Sequence, residues 1–127
     1  MDIIQQQRYD GLTIETCIHY LTHTEVSDIG NLGKVNPPLR TTEDLERIWQ
    51  AVISGEIATV GTDHCAVSAK QKQGTIWQAA AGFPGMATIF NVMLSEGHHK
   101  RGMSLQRIAQ VTSQQAAQQF NLYPQNE

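Results

Sequence analysis

A short apolar run that ends in an acid and a histidine constrains the fold of this chain more than any other feature. Residues 57–60 are Ile-Ala-Thr-Val, and Gly61, Thr62, Asp63 and His64 follow directly. A run this short and this apolar is typical of a buried parallel strand. Because α/β enzymes keep their reacting groups at the carboxyl ends of such strands, Asp63 is a candidate metal ligand or base. The alternative is an aspartate that only caps a helix or binds loop amides.

The residues before this run predict a strand, a long loop and a helix. Apolar and polar residues roughly alternate over 12–21, which predicts extended backbone with His19 on the polar face. Residues 22–40 contain glycines and prolines with little periodicity, and predict a long connection. Thr41 and Asp44 form a capping-box pattern. An apolar helical stripe follows it, made of Leu45, Ile48, Trp49, Val52 and Ile53, and Gly55 can end the helix.

The remainder of the chain predicts helices joined by irregular segments. Residues 2–10 predict the end of a helix, with Gly11 as the left-handed residue after it. A helix opened by residues 83–85 has Gly97 as its stop, and its apolar stripe consists of Met86, Ile89, Phe90, Met93 and Leu94. Ser104 and Ser113 are each predicted to cap a further helix.

Composition excludes several classes of function. A net charge of −3 and scattered basic residues argue against binding to nucleic acid. The two cysteines, Cys17 and Cys65, lie far apart and indicate neither a disulfide framework nor a cysteine zinc knot. No apolar run approaches the length of a membrane span of about 20 residues. These features predict a soluble, cytoplasmic protein that does not contact a membrane.

Several segments of the sequence match one family in the same order along the chain. They are Glu15–Leu21, Asn36–Arg40, Gly61–Cys65, Gly82–Gly85, Ala116–Ala117 and Asn121–Pro124. Together they resemble the cyclic amidohydrolases, which include hydantoinases, dihydropyrimidinases, allantoinases and dihydroorotases. The resemblance covers nearly the whole chain.

The resemblance implies an α/β fold that is part of a (β/α)8 TIM-type barrel. A complete barrel needs about 250 residues, whereas this chain has 127. Residues 1–127 are therefore expected to form a single partial domain, with the last two βα units of the barrel and the terminal helices. The intact family members are expected to be homo-oligomers.

The resemblance also implies a metal-dependent reaction on a small cyclic amide. Family members hold two zinc ions, and Asp63 matches the one ligand that comes from the last strand. In the family mechanism this carboxylate binds a metal, accepts a proton from the attacking water and passes it to the leaving nitrogen. Asp63 is thus expected to be both catalytic and metal-binding. With one ligand present, the chain alone is expected to bind zinc weakly and to be inactive as a hydrolase.

Asn36 and Gly82 are the expected substrate-binding residues. Asn36 stands before paired prolines, where relatives contact the ring amides; the alternative is a loop asparagine that bonds its own turn. Gly82 stands where hydantoinases often have asparagine, which weakens the assignment to hydantoinases. His19 and His23 lie near a strand end and could line a pocket, although lone histidines are more typically satisfied core or surface residues.

The sequence therefore predicts a hydrolase of hydantoin-like or dihydropyrimidine-like rings. Allantoinase and dihydroorotase activities remain open alternatives, because the motifs suit them as well. A second hypothesis is a non-catalytic remnant or an interaction fragment, since isolated barrel strands expose unpaired edges and apolar helix faces.

Overall fold

The computed structural model describes Gln6 and residues 11–122. Apart from Gln6, which is helical, the predicted helix end over residues 2–10 lies outside the described residues. Gly11 has a φ of +90°, the left-handed conformation predicted for it.

Two short parallel strands form the sheet. Strand β1 (Glu15–Cys17) pairs with strand β2 (Thr59–Gly61), and Thr16 lies opposite Val60 in the register. Val60 is buried. The prediction of a buried parallel strand before Asp63 is confirmed, although β2 begins at Thr59.

The first strand is shorter than the alternating pattern predicted. After Cys17 the chain turns into a 3-10 helix, Ile18–Leu21. Ile18 and Leu21 are both buried, because residues three apart share one face of a 3-10 helix. The same turn carries His19 into the interior, so its predicted place on a polar strand face is wrong.

Helix α1 (Thr42–Ser54) follows the prediction closely. Thr41 and Asp44 form the capping box, and Gly55 ends the helix with a φ of +96°. Trp49 is buried, and its indole nitrogen donates a hydrogen bond of 2.9 Å to the carbonyl of Leu21. This bond joins the helix to the 3-10 helix that follows β1.

Helix α2 (Ile89–Val92) continues as a π-helix, Met93–His99. Of the predicted stripe, Met93 is buried, but Met86 and Phe90 are largely exposed. The predicted stop at Gly97 is wrong, because this glycine lies inside the helical segment against a ring. A Cβ there would meet Cζ3 of Trp49 at 3.3 Å.

The last helical segment is continuous. Ser104 caps helix α3 (Leu105–Ala109), as predicted, by accepting a bond from the Arg107 amide. A π-helix (Gln110–Gln114) and helix α4 (Gln115–Gln119) follow without a break, so Ser113 is not a cap.

One hydrophobic core joins the strands to the helices. Its buried members are Leu21, Trp49, Ala51, Val52, Ile57, Val60, Met93, Met103, Ile108 and Val111. The core therefore lies between the short sheet and helices from both halves of the chain.

Among the described residues, no helix has the length and hydropathy needed to cross a lipid bilayer.

Candidate metal centre at the end of the sheet

The two strands end side by side, and this places the residues after them at one edge of the sheet. The last register pair joins Cys17 to Gly61. Asp63 lies two residues beyond β2 and has a φ of +43°. This left-handed conformation is uncommon outside glycine, and such residues cluster at functional sites.

Three side chains from the two strand ends converge there. Ligand atoms of Cys17, His19 and Asp63, namely a thiol sulfur, a ring nitrogen and a carboxylate oxygen, all lie within 4.8 Å of one another. His19 is buried, Cys17 is half-buried and Asp63 is exposed. The cluster is therefore closed on the histidine side and open to solvent on the aspartate side.

His19 has no hydrogen-bond partner for either ring nitrogen, although only 2% of the residue is exposed. Its ring stacks on Phe83, with centroids 5.1 Å apart and planes 7° apart. A buried polar group without a partner costs about 1–3 kcal/mol, so native structures rarely keep one without a function. The expectation of a satisfied histidine is wrong at this position.

Burial and neighbouring charge set the protonation of the cluster. Burial raises the pKa of the Cys17 thiol to about 11, and the charge of Asp63 contributes in the same direction. Burial lowers the pKa of His19, while the nearby Asp63 carboxylate partly opposes that shift. The lowered pKa favours the neutral imidazole, which is the form that binds metals.

The donor set fits a transition metal. Thiolate sulfur, imidazole nitrogen and carboxylate oxygen are the ligands of zinc in proteins, and catalytic zinc sites combine three protein ligands with one open position. The unpartnered nitrogens of buried His19 supply a ligand that nothing else uses. These three donors suit one metal ion. The second zinc ion that the family resemblance implies would need donors beyond these three.

Asn36 lies in the long loop and is exposed. It lines a cavity of about 330 Å³, and none of the three metal donors lines that cavity. The neighbouring Pro37 carbonyl accepts a 2.8 Å hydrogen bond from the Tyr20 hydroxyl. The loop is thus tied to the 3-10 helix that carries His19, although Asn36 is not part of the donor cluster.

Gly82 has a steric reason to be glycine. Its φ is +132°, and a Cβ there would lie 2.6 Å from the Cβ of Cys65. Its amide donates a 3.0 Å hydrogen bond to the carbonyl of Lys34. Gly82 therefore fixes the segment after β2 to the loop that carries Asn36.

Two lysines that sequence reasoning missed fasten the same segments together. Lys72 is buried, and its ammonium donates to the carbonyls of Leu32 at 3.1 Å and Lys34 at 2.7 Å. Lys34 donates to the carbonyls of Ile76 and Ala79, both at 2.6 Å. Burial lowers the pKa of Lys72, and the charge of Lys34 adds to the effect. The sequence gives no signal for this, because residues 66–82 are polar and without periodicity.

The residues directly after Asp63 stay outside the donor cluster. His64 is exposed, and its Nδ1 accepts a 3.3 Å bond from the amide of Met86. Cys65 is also exposed, and its amide donates a 2.9 Å bond to the carbonyl of Phe83. Both residues connect the strand end to the segment that packs against His19.

Comparison with curated proteins gives allantoinases. The allantoinase of Rubrobacter xylanophilus is 35% identical over 118 residues, which is 91% of this chain and 26% of the relative. The allantoinase of Solibacter usitatus is 36% identical over 118 residues, which is 88% of this chain and 25% of the relative. No protein-family profile matches the chain.

Solved structures of hydantoinases share its fold. The L-hydantoinase (dihydropyrimidinase) of Arthrobacter aurescens has a TM-score of 0.86 and 32% identity, over 98% of this chain and 29% of that one. The D-hydantoinase (dihydropyrimidinase) of a Thermus species also has a TM-score of 0.86, with 25% identity over 96% of this chain and 28% of that one.

The chain is homologous to the cyclic amidohydrolases. The resemblance inferred from its short motifs is thereby confirmed. The chain spans about a quarter of the length of the curated relatives that it matches.

Proposed function

We propose that this chain supplies one part of the active site of a zinc-dependent cyclic amide hydrolase, with Asp63 as metal ligand and proton carrier. One observation carries the proposal. The Asp63 carboxylate lies beyond the carboxyl end of a buried parallel strand, beside the unpartnered nitrogens of His19. Relatives named allantoinase and L-hydantoinase support it.

The architecture that suits this role is part of a (β/α)8 barrel. Strands β1 and β2 are parallel, helix α1 lies between them along the chain, and both outer strand edges lack a partner in the described part of the sheet. Unpaired edges of this kind are completed by neighbouring strands in a closed barrel. Residues 1–127 then form one partial domain with the last two βα units and the terminal helices.

Asp63 has two tasks in the proposed reaction. A zinc ion bound here would supply Lewis acidity and lower the pKa of a water molecule. One carboxylate oxygen of Asp63 would hold the metal, and the carboxylate would accept a proton from the attacking water and deliver it to the leaving ring nitrogen. The strand end and the left-handed backbone of Asp63 hold its position, which proton transfer at hydrogen-bond distance requires.

Asn36 and Gly82 are proposed to position the substrate. The amide side chain of Asn36 has the donor and acceptor needed to bind a ring amide. Its loop is held by the Tyr20 bond to Pro37 and by the Gly82 bond to Lys34. Substrate contacts at Asn36 would therefore depend on both of these hydrogen bonds.

Allantoin is the first candidate substrate, since the curated relatives at 35–36% identity are allantoinases. Hydantoin is the second, because the structural relatives at 25–32% identity are hydantoinases. Both molecules contain the same five-membered ring with two ring amides, so one centre could act on either.

A chimera tests the proposal. This chain replaces the matching segment of the Rubrobacter xylanophilus allantoinase, and ring opening of allantoin and hydantoin is measured. We expect activity, and a loss of at least about 100-fold for Asp63→Asn, the scale of general acid–base catalysis. Asp28→Asn changes another exposed aspartate and should leave the rate unchanged.

Two outcomes would count against the proposal. Equal activity of the Asp63→Asn and Asp28→Asn chimeras would remove the role given to Asp63. A chimera that folds by circular dichroism and holds zinc, yet opens neither ring with Asp63 intact, would favour the non-catalytic remnant instead.

A further inference from the structure

We propose that Cys17 and His19 bind zinc together with Asp63, so that this chain holds one metal ion by itself. The proposed function requires only Asp63 from this chain, so the inference goes beyond it. The sequence-based expectation of weak zinc binding counted a single donor. The fold brings three donors to one point.

The unpartnered histidine is the main argument. Both nitrogens of His19 are buried and without a hydrogen bond, while a thiol sulfur and a carboxylate oxygen lie within 4.8 Å of a ring nitrogen. Bulk solvent scarcely reaches this ring, because only 2% of the residue is exposed. A metal ion at this point would bind the lone pair of a His19 ring nitrogen, to which no other group donates a hydrogen bond.

The spacing of the donors suits one small ion. Zinc bonds of about 2.0–2.3 Å in tetrahedral geometry place any two ligand atoms about 3.3–3.8 Å apart. The three donors already lie within 4.8 Å of one another, so an approach of about 1 Å, within reach of a rotamer adjustment, completes the set. The exposed side of Asp63 leaves the fourth position to water.

Charge and donor type select the metal. A metal ion that displaces the proton of the Cys17 thiol would be bound by a thiolate and by the Asp63 carboxylate, whose two negative charges a divalent cation balances. Sulfur and imidazole nitrogen favour zinc or cobalt, whereas magnesium and calcium require oxygen ligands. The site should therefore discriminate strongly against magnesium.

The packing behind His19 is rigid enough to hold a ligand in place. The His19 ring stacks on Phe83. Two residues later, Gly85 lies close to the end of strand β2. A Cβ at Gly85 would lie 2.8 Å from the carbonyl oxygen of Thr62 and 3.0 Å from Cγ2 of Ile18. This segment thus forms a fixed wall behind the histidine.

Cobalt titration of the 127-residue chain tests the inference. Cobalt in such a site gives d–d bands and a charge-transfer band from the thiolate, neither of which depends on hydrolase activity. We expect one equivalent of cobalt per chain, displaced by zinc and not by excess magnesium. Cys17→Ser should remove the charge-transfer band and weaken binding at least about 10-fold, and Asp63→Asn should weaken binding while the band remains.

Cys65→Ser is the matched control, because Cys65 is an exposed cysteine outside the donor cluster. It should keep both the band and the affinity. Loss of the band in Cys65→Ser with retention in Cys17→Ser would overturn the assignment, as would the absence of stoichiometric binding by a chain that folds by circular dichroism. Either failure leaves the Asp63 chimera test unaffected, so the two proposals can fail separately.

Discussion

Replacement of His19 by leucine is predicted to stabilise the metal-free protein and to abolish its stabilisation by zinc. The substitution removes two buried nitrogens that have no partner and keeps a side chain of similar volume. Relief of each unsatisfied group contributes about 1–3 kcal/mol. Loss of the ring stack on Phe83 costs about 0.5–1.5 kcal/mol. Because two such nitrogens are relieved, the balance is a net gain of roughly 0.5–5.5 kcal/mol in the free energy of unfolding.

Urea unfolding with excess chelator, and again with excess zinc, measures both effects. Zinc should raise the free energy of unfolding of the unmodified protein by about 2.7 kcal/mol at a concentration 100 times its Kd, and should raise that of His19→Leu far less. His23→Leu is the control, since the Nδ1 of His23 lies 2.7 Å from the Thr22 hydroxyl and is satisfied. This control should gain no stability. A loss of more than about 1 kcal/mol for His19→Leu in chelator, with an unchanged m-value, would contradict the predicted gain in stability.

Three further predictions concern the frame around the site. Gly82→Ala should lower the free energy of urea unfolding by at least about 2 kcal/mol, because backbone strain adds to a steric clash. Gly102 has a φ of +68° and open space around it, so Gly102→Ala should cost only about 1 kcal/mol. Equal costs for the two variants would contradict this. Thr41→Ala should cost about 1 kcal/mol through loss of the helix cap, and no change in the urea midpoint would contradict the capping box. The hydrogen bond from Arg47 lowers the pKa of Glu56, so its stabilisation is present above the unfolded-state pKa of about 4.3 and is lost as the pH falls through the lower folded-state pKa. Glu56→Gln should therefore lose stability at neutral pH, and the difference should shrink as the pH falls below about 4.3. Chemical unfolding at several pH values measures this, and a difference that does not change with pH would contradict it.

Local signals were sufficient for parts of the fold. Helix α1 carries a capping box, an apolar stripe and a terminal glycine, which agree with one another, and the structure follows all three. The strand before Asp63 was equally clear, because a short apolar run between turn residues has few other solutions. Consistency among independent local signals is what makes such segments predictable.

Other elements depend on contacts between distant residues. Gly97 is indistinguishable from a helix stop until Trp49 is known to pack against it. Ser113 has the side chain of a cap, but the helix around it continues, because Val111 and Ile108 on the same segment are buried in the core. Tertiary packing overrides local preference in both cases.

Of the three donors in the candidate site, only Asp63 was predicted from the sequence. The position of Asp63 after an apolar run singled it out as a strand-end acid. Cys17 and His19 were missed as its partners because alternation alone cannot distinguish an extended strand from a 3-10 helix that turns the histidine inward. The register that places Cys17 beside Gly61 is also invisible without the strand pairing.

Anomalous X-ray scattering at the zinc edge, from crystals of this chain grown with zinc, locates the ion and its ligands. We expect one strong peak at the end of the sheet, bonded to a carboxylate oxygen of Asp63, to a ring nitrogen of His19 and to the sulfur of Cys17. A zinc peak elsewhere, with the Asp63 carboxylate free of metal, would contradict this expectation.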